Sequence, residues 1–503
     1  MKRKSTLTLA AAMLVLLGAA VSCGSADDTQ TAVTTEAMKS AETTEAVTED
    51  VYPYETPDMG GYALRILNSD DLWDMFMKVD VEETTGEVLN DAVYARNRAV
   101  EEKLNCTFDV TLVDIAGAGN DIAVMTKVIQ ETVLAGEDLY DVMYSSVYTT
   151  PAMVTDGYFM NLLDLDGLNF GEVWWDPIVA ENATINDCLY FATSPMHLMS
   201  YDSTWILFFN ETMMDKNDME KPYDMVRNGT WTYDALLSYC KAITNMNGDA
   251  SFTWDKNGNA VYGISAHSNC SDKFILGAGE YYIDKGKDGS LTFAATDERF
   301  HNVLSKLAGI LDLSTGYTIY GSNTDFDADL GGYVYVFSVG RALFMTGEIK
   351  AAQELRDMND TFGIVPYPKY DESQDSYYHS FVSQCMYYTV PVTNTHLTET
   401  AVISDYTSYL SYRDVLPVFY DNVVEQKGLR NEDSIEMLDI ALSTETVDLA
   451  FLFGWSSSLV DTIRTNLFKG QTDYASTIEK QKKSIDKKID QTLEAIENTK
   501  GNL

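Results

Sequence analysis

Three short apolar runs, separated by two amphipathic stretches and all lying between residues 62 and 146, constrain this chain more than any other feature of it. Tyr62–Leu67, Phe108–Val113 and Leu139–Tyr144 have strand length. Between them, Glu87–Leu104 carries Val88, Leu89, Ala92, Val93, Ala95, Ala99 and Val100 at helical spacing, and Ile122–Leu134 stops before Gly136. Strands alternating with helices of that size can pair only through crossovers, so a mostly parallel sheet covered on both faces follows. Ligands of such sheets sit at the carboxyl ends of the strands. There the chain places Asn68, Ser69, Asp70 and Asp71 after the first run, and Ser145 and Ser146 after the third. A second α/β unit is expected at Phe337–Lys369. Its parts are a buried strand at Arg341–Thr346 ended by Gly347 and Glu348, a helical stretch, and Phe362–Val365 leading to the Pro366 and Pro368 turn.

A length of 503 residues exceeds one ordinary core, so two packed lobes are expected. The formal charge of −42 argues against a nucleic-acid partner, because binding one depends on Lys and Arg replacing counterions. A solvated acidic surface is the plainer reading of that charge. Five of the six cysteines (Cys106, Cys188, Cys240, Cys270, Cys385) show no metal-site spacing and read as buried thiols, with one disulfide possible. The sixth belongs to the N-terminus. Lys2, Arg3 and Lys4, then an apolar run to Val21, describe an export signal over residues 1–22, too short for a permanent membrane span. Ala20-Val21-Ser22-Cys23 resembles a bacterial lipobox, which implies lipidation of Cys23 and an anchor on the extracytoplasmic face of the cell membrane. Residues 23–57, rich in Thr, Ala, Glu and Asp, cannot bury enough apolar surface to fold and form a tether.

Further along, Trp174-Trp175-Asp176 precedes CLYFATSP at Cys188–Pro195, then Trp205–Glu211 reads WILFFNE and Thr230–Leu237 reads TWTYDALL, with Thr230 or Thr232 as helix cap. Asn257-Gly258 between aromatic arms predicts a hairpin; its calcium-loop look fails at Ala260 and Ala266, where such a loop needs Gly and an acid. Lys287–Phe293 predicts a second turn before a helix at Asp297–Leu311. Tyr387–Pro391 reads as a strand, Thr398–Leu410 as a helix, and Ile478, Ile485, Ile489, Leu493 and Ile496 share one face of a terminal helix. In this order, over about residues 60 to 500, the segments resemble the extracellular solute-binding proteins of family 1, the maltose-binding lineage.

That resemblance implies an α/β fold of two lobes, periplasmic-binding-protein-like and of class II, with a ligand cleft between the lobes. Lobe 1 is expected over 58–202 and 347–411, lobe 2 over 203–346 and 412–503, with crossings near Ser203–Phe208 and Leu343–Thr346. By matching, the cleft would use Asn68, Asp70, Trp73, Ser145, Ser146, Tyr148, Trp175, Asp202, Glu348 and Trp455, the last as a sugar-stacking aromatic. The 31 Tyr and 7 Trp suit sugar faces, although most are expected in the core. No catalytic motif stands out, and no cofactor or metal is expected. The resemblance implies a monomeric, lipid-anchored substrate-binding protein that delivers a carbohydrate to an ABC permease. The alternatives are a surface-anchored enzyme acting on polysaccharide, or the same fold binding a peptide or polyamine.

Overall fold

Residues 51–72, 75–321, 323–326, 331–379, 385–424, 429 and 431–499 are described by the computed structural model. Cys23, the export signal, the tether up to residue 50 and Trp73 lie outside them. Both sheets belong to one unit, Glu55–Leu503.

The first sheet has the order β11-β3-β1-β2, with β1 at Tyr62–Ser69, β2 at Cys106–Val113, β3 at Val142–Ser146 and β11 at Met386–Thr389. β1 is parallel to β2 and β3, as the alternating pattern predicts, and the helices Val88–Leu104 and Ala123–Ala135 make the crossovers. Glu87 caps the first helix by accepting from the Leu89 and Asn90 amides, and Asn105, at φ 50°, ends it in the left-handed region. β11 runs antiparallel to β3, pairing Met386 with Ser146.

The second sheet has the order β10-β4-β9-β5-β8. Its strands are β4 at Trp205–Asn210, β5 at Tyr262–Ala266, β8 at Thr318–Tyr320, β9 at Ala342–Glu348 and β10 at Phe362–Val365. Every residue of β4, β5 and β9 is buried, the continuous apolar pattern of strands covered on both faces. β5 is parallel to β8 and β9, whereas β4 is antiparallel to β9 and to β10.

Register alone shows which sheet ends face each other. The chain leaves the first lobe through the helical turn Met199–Asp202 and enters β4 at Trp205, which pairs with Glu348, the last residue of β9. Returning, it enters β11 at Met386 beside Ser146, the last residue of β3. Both crossings therefore arrive at carboxyl ends of parallel strands, so the two sheets present those ends to the same junction.

Three expectations need correction. Residues 347–369 do not return to the first lobe, because β10 pairs along its whole length with β4 and completes the second sheet; the chain returns after Lys369. Residues 412–424 do not join the second lobe, because the helix Leu397–Leu410 runs on through Ser411–Val415 into Leu416–Val424 and packs on Val88–Leu104, with Arg96 Nη1 donating to Ser411 Oγ at 2.9 Å. The hairpin at Asn257-Gly258 is also absent, since residues 252–254 form no strand. Asp249 accepts from the Asn259 and Ala260 amides at 2.6 and 2.8 Å, and Tyr262–Ala266 becomes β5 instead. A fully buried strand gains more from two sheet neighbours than from one exposed partner. The second expected hairpin forms, with β6 at Ile283–Lys285 paired to β7 at Leu291–Phe293.

The five described cysteines are buried thiols. One of them explains Gly263 in β5, where a Cβ would lie 2.6 Å from Cys240 Cβ. Gly263→Ala should therefore destabilise the fold by about 1–3 kcal/mol, read as a lowered denaturant midpoint. No helix among the described residues is long and apolar enough to cross a membrane.

Candidate functional site

A cavity of about 380 Å³ opens where the two sets of strand ends meet. Val147 and Tyr148, directly after β3, form one wall; Asn269, Asp272 and Lys273, just beyond β5, form the second. The third comes from the C-terminal helices Leu449–Leu452 and Ser457–Leu467 and the link between them, through Ala450, Phe451, Gly454, Val460, Asp461 and Arg464. Ring surface and convergent polar groups together make a binding site rather than a packing gap, and the volume suits a small ligand.

Its charges are arranged in a defined way. Arg464 holds Asp272 Oδ2 at 2.9 Å through Nη2 and Asp461 Oδ1 at 3.1 Å through Nη1. Burial raises the Asp272 carboxyl, and the Arg464 and Lys273 charges oppose that rise. Lys273 lies between two rings, its Nζ 5.7 Å from the Trp205 centroid and 5.8 Å from that of Phe451. Burial lowers its ammonium to about 8, against the attraction of Asp272 and Glu348. His267, edge-on to Trp205 and Tyr333, is lowered to about 4 by burial and then by the Arg464, Lys273 and Lys350 charges, so it is neutral at pH 7.

The described residues expected from sequence divide into four groups. Tyr148 alone among them lines the cavity, with 55 % of its surface exposed. Asn68, Ser145, Ser146, Asp202 and Glu348 are buried around the junction, with the first lobe's polar groups turned to internal work. Asn68 Nδ2 donates to the Met77 carbonyl at 2.8 Å and Asp202 Oδ2 accepts from the Phe76 amide at 3.0 Å, so together they fix the segment after β1. Ser145 Oγ meets Thr150 Oγ1 at 2.6 Å, and Ser146 Oγ accepts from the Tyr148 amide at 3.3 Å, setting the turn that presents that ring. Asp70 is exposed at the rim of the first sheet and accepts from the Ile115 amide at 3.0 Å.

Trp175 and Trp455 form the fourth group. Trp175 is in the first lobe's core, its Nε1 donating to Asp405 at 2.6 Å. Trp455 is 2 % exposed, stacks on Phe453 at 4.8 Å and donates to Thr492 Oγ1 at 2.9 Å, so it supports the cavity wall without entering it. A sequence match places a residue in a segment, but which way a ring turns depends on packing.

Conversely, Asn269, Asp272, Lys273, Phe451 and Arg464 were not expected. Taking Tyr262–Ala266 for a hairpin arm hid the strand end that would have pointed to Asn269–Lys273.

Glu348, 5 % exposed, sits 3.9 Å from Lys350. Burial raises its carboxyl to about 7; the Lys350 charge lowers it and Asp202 raises it. Between the unfolded value of about 4.5 and about 7 the folded protein keeps a proton that the unfolded chain has lost, so this group costs stability as pH rises. Glu348→Gln should remove that cost. Relative to the parent it should gain about 2 kcal/mol between pH 5 and pH 7, measured by urea unfolding at both.

No family model matches the chain, and no curated protein matches it in sequence. Solved structures do match in fold. A cyclo/maltodextrin-binding protein complexed with maltotetraose aligns with a TM-score of 0.54 at 13% identity, over 88% of this chain and 99% of its own. The ABC substrate-binding protein Lmo0181 from Listeria monocytogenes, in complex with cycloalternan, gives 0.52 at 13%, over 86% and 99%. UgpB from Mycobacterium tuberculosis, in complex with glycerophosphocholine, gives 0.51 at 13%, over 86% and 99%. The chain thus has the two-lobe α/β fold of periplasmic-type binding proteins.

Proposed function

We propose that this chain is the substrate-binding protein of an ABC importer, anchored by a lipid on Cys23 at the extracytoplasmic face, and that it delivers a carbohydrate to a membrane permease. The observation that carries the reading is the cavity between the facing strand ends, walled by both lobes. A ligand there touches Val147 and Tyr148 on one side and Asn269–Lys273 on the other, so its contacts favour the closed arrangement of the lobes over an open one. Tyr148 and Phe451 offer ring faces for the apolar side of a sugar, and Asn269, Asp272 and Asp461 offer polar groups for its hydroxyls. Two of the three structural neighbours named above were solved with an oligosaccharide, which supports the same ligand class. The role is non-catalytic: binding should be stoichiometric, with a change in tryptophan fluorescence from Trp205 beside the cavity and no conversion of the ligand. Titration calorimetry of the full-length chain against a broad panel of mono- and oligosaccharides tests it. Saturable heat with at least one sugar is expected; no heat with any of them would sink the carbohydrate reading.

A further inference from the structure

Lys273 is the cavity's uncommitted charge. It is 6 % exposed, yet among the described residues its Nζ has neither a hydrogen-bond acceptor nor a carboxylate at ion-pair distance, and only the Trp205 and Phe451 rings attend it. Ring faces attract a cation but offer no lone pair to its three N–H donors. The nearby acids are engaged elsewhere: Asp272 and Asp461 are held by Arg464, and Glu348 lies beside Lys350. A buried cation without a partner is costly, and a counter-charge brought by the ligand removes that cost. A neutral hydroxyl can also accept from an ammonium, but only an anion neutralises the buried charge as well. The protein's large negative charge does not forbid an anionic ligand, because screening over roughly 8 Å at physiological ionic strength leaves the local cation to decide.

Building on the carbohydrate reading, we propose that the ligand is an acidic sugar, a uronate-bearing mono- or oligosaccharide whose carboxylate docks on Lys273 while Tyr148 and Phe451 cover its ring faces. Because burial lowers the Lys273 ammonium to about 8, affinity for the acid should also fall as pH rises through that value, as the cation is lost.

The test is calorimetric titration of the full-length chain with glucuronate- and galacturonate-containing oligosaccharides and with their carboxyl-reduced neutral counterparts. The acids should bind at least about 10-fold tighter; Lys273→Met should erase that preference and Lys273→Arg should keep most of it, with melting curves confirming that both variants fold. Neutral sugars binding as well as the acids, or a preference that survives Lys273→Met, overturns this proposal and leaves the carbohydrate reading standing. If neither kind of sugar binds, both fall. Binding of a glycerophosphodiester in place of either sugar likewise overturns both.

Discussion

Trp455→Ala is expected to lower the unfolding free energy by about 3–5 kcal/mol, the range for deleting a large buried aromatic. The ring is nearly inaccessible, lies 4.8 Å from Phe453 at 12° and is fixed by its bond to Thr492 of the terminal helix. Truncation opens a cavity beside Gly454, a residue of the ligand wall, and leaves the Thr492 hydroxyl its bond to the Lys488 carbonyl. Trp455→Phe separates support from contact. It keeps the stack, loses one hydrogen bond and should cost about 1 kcal/mol while leaving ligand affinity within about twofold. A steep loss of affinity in Trp455→Phe at near-parental stability would instead put the ring in the site. Denaturant midpoints with unchanged slopes, alongside ligand titrations, decide between the two.

Arg464→Met should be comparably severe, about 3–5 kcal/mol at pH 7, because it strands the Asp272 carboxylate in a buried position. Burial already raises the Asp272 carboxyl, so the stranded group can take a proton at lower pH, and the loss at pH 5 should be clearly smaller than at pH 7. Asp272→Asn with Arg464→Met should cost less than the sum of the single changes, since neither an unpaired acid nor an unpaired base remains. Additive losses in that cycle, measured by urea unfolding, would show that the pair does not couple the helices Cys270–Gly277 and Ser457–Leu467.

What could be read from the chain follows from how local each signal is. β1, β2, β3 and the helices between them appear within two or three residues of their expected ends, because each strand pairs with one close in sequence and the 3.6-residue pattern is strong. The antiparallel members escape such reasoning. β11 lies against β3 through partners such as Thr389 and Met143, 246 residues apart, and nothing in MYYT announces which sheet it will join. The same limit misassigned β10, whose place beside β4 is set by the crossing at Trp205 rather than by its own four residues. At the site, Tyr148 was legible as the residue after a strand end. Lys273 was not, because its importance comes from two rings, Trp205 and Phe451, that approach it from distant parts of the chain.

The terminal helix Ala475–Thr499 carries a consequence for how far the lobes can swing. Ile478, Ile485, Ile489 and Ile496 bury one face. The helix packs on β7 in the second lobe, with Lys482 Nζ 5.2 Å from the Phe293 centroid, and on the helix Thr150–Thr155 in the first, where Thr499 also bonds Tyr190. Such a helix works as a strut. The lobes can part only by bending it, shearing it off the first lobe, or turning about a line that it follows. Its far-end footing includes a single hydroxyl pair and acts as a detent: loosening it with Tyr190→Phe should shift the open–closed balance without touching a ligand contact.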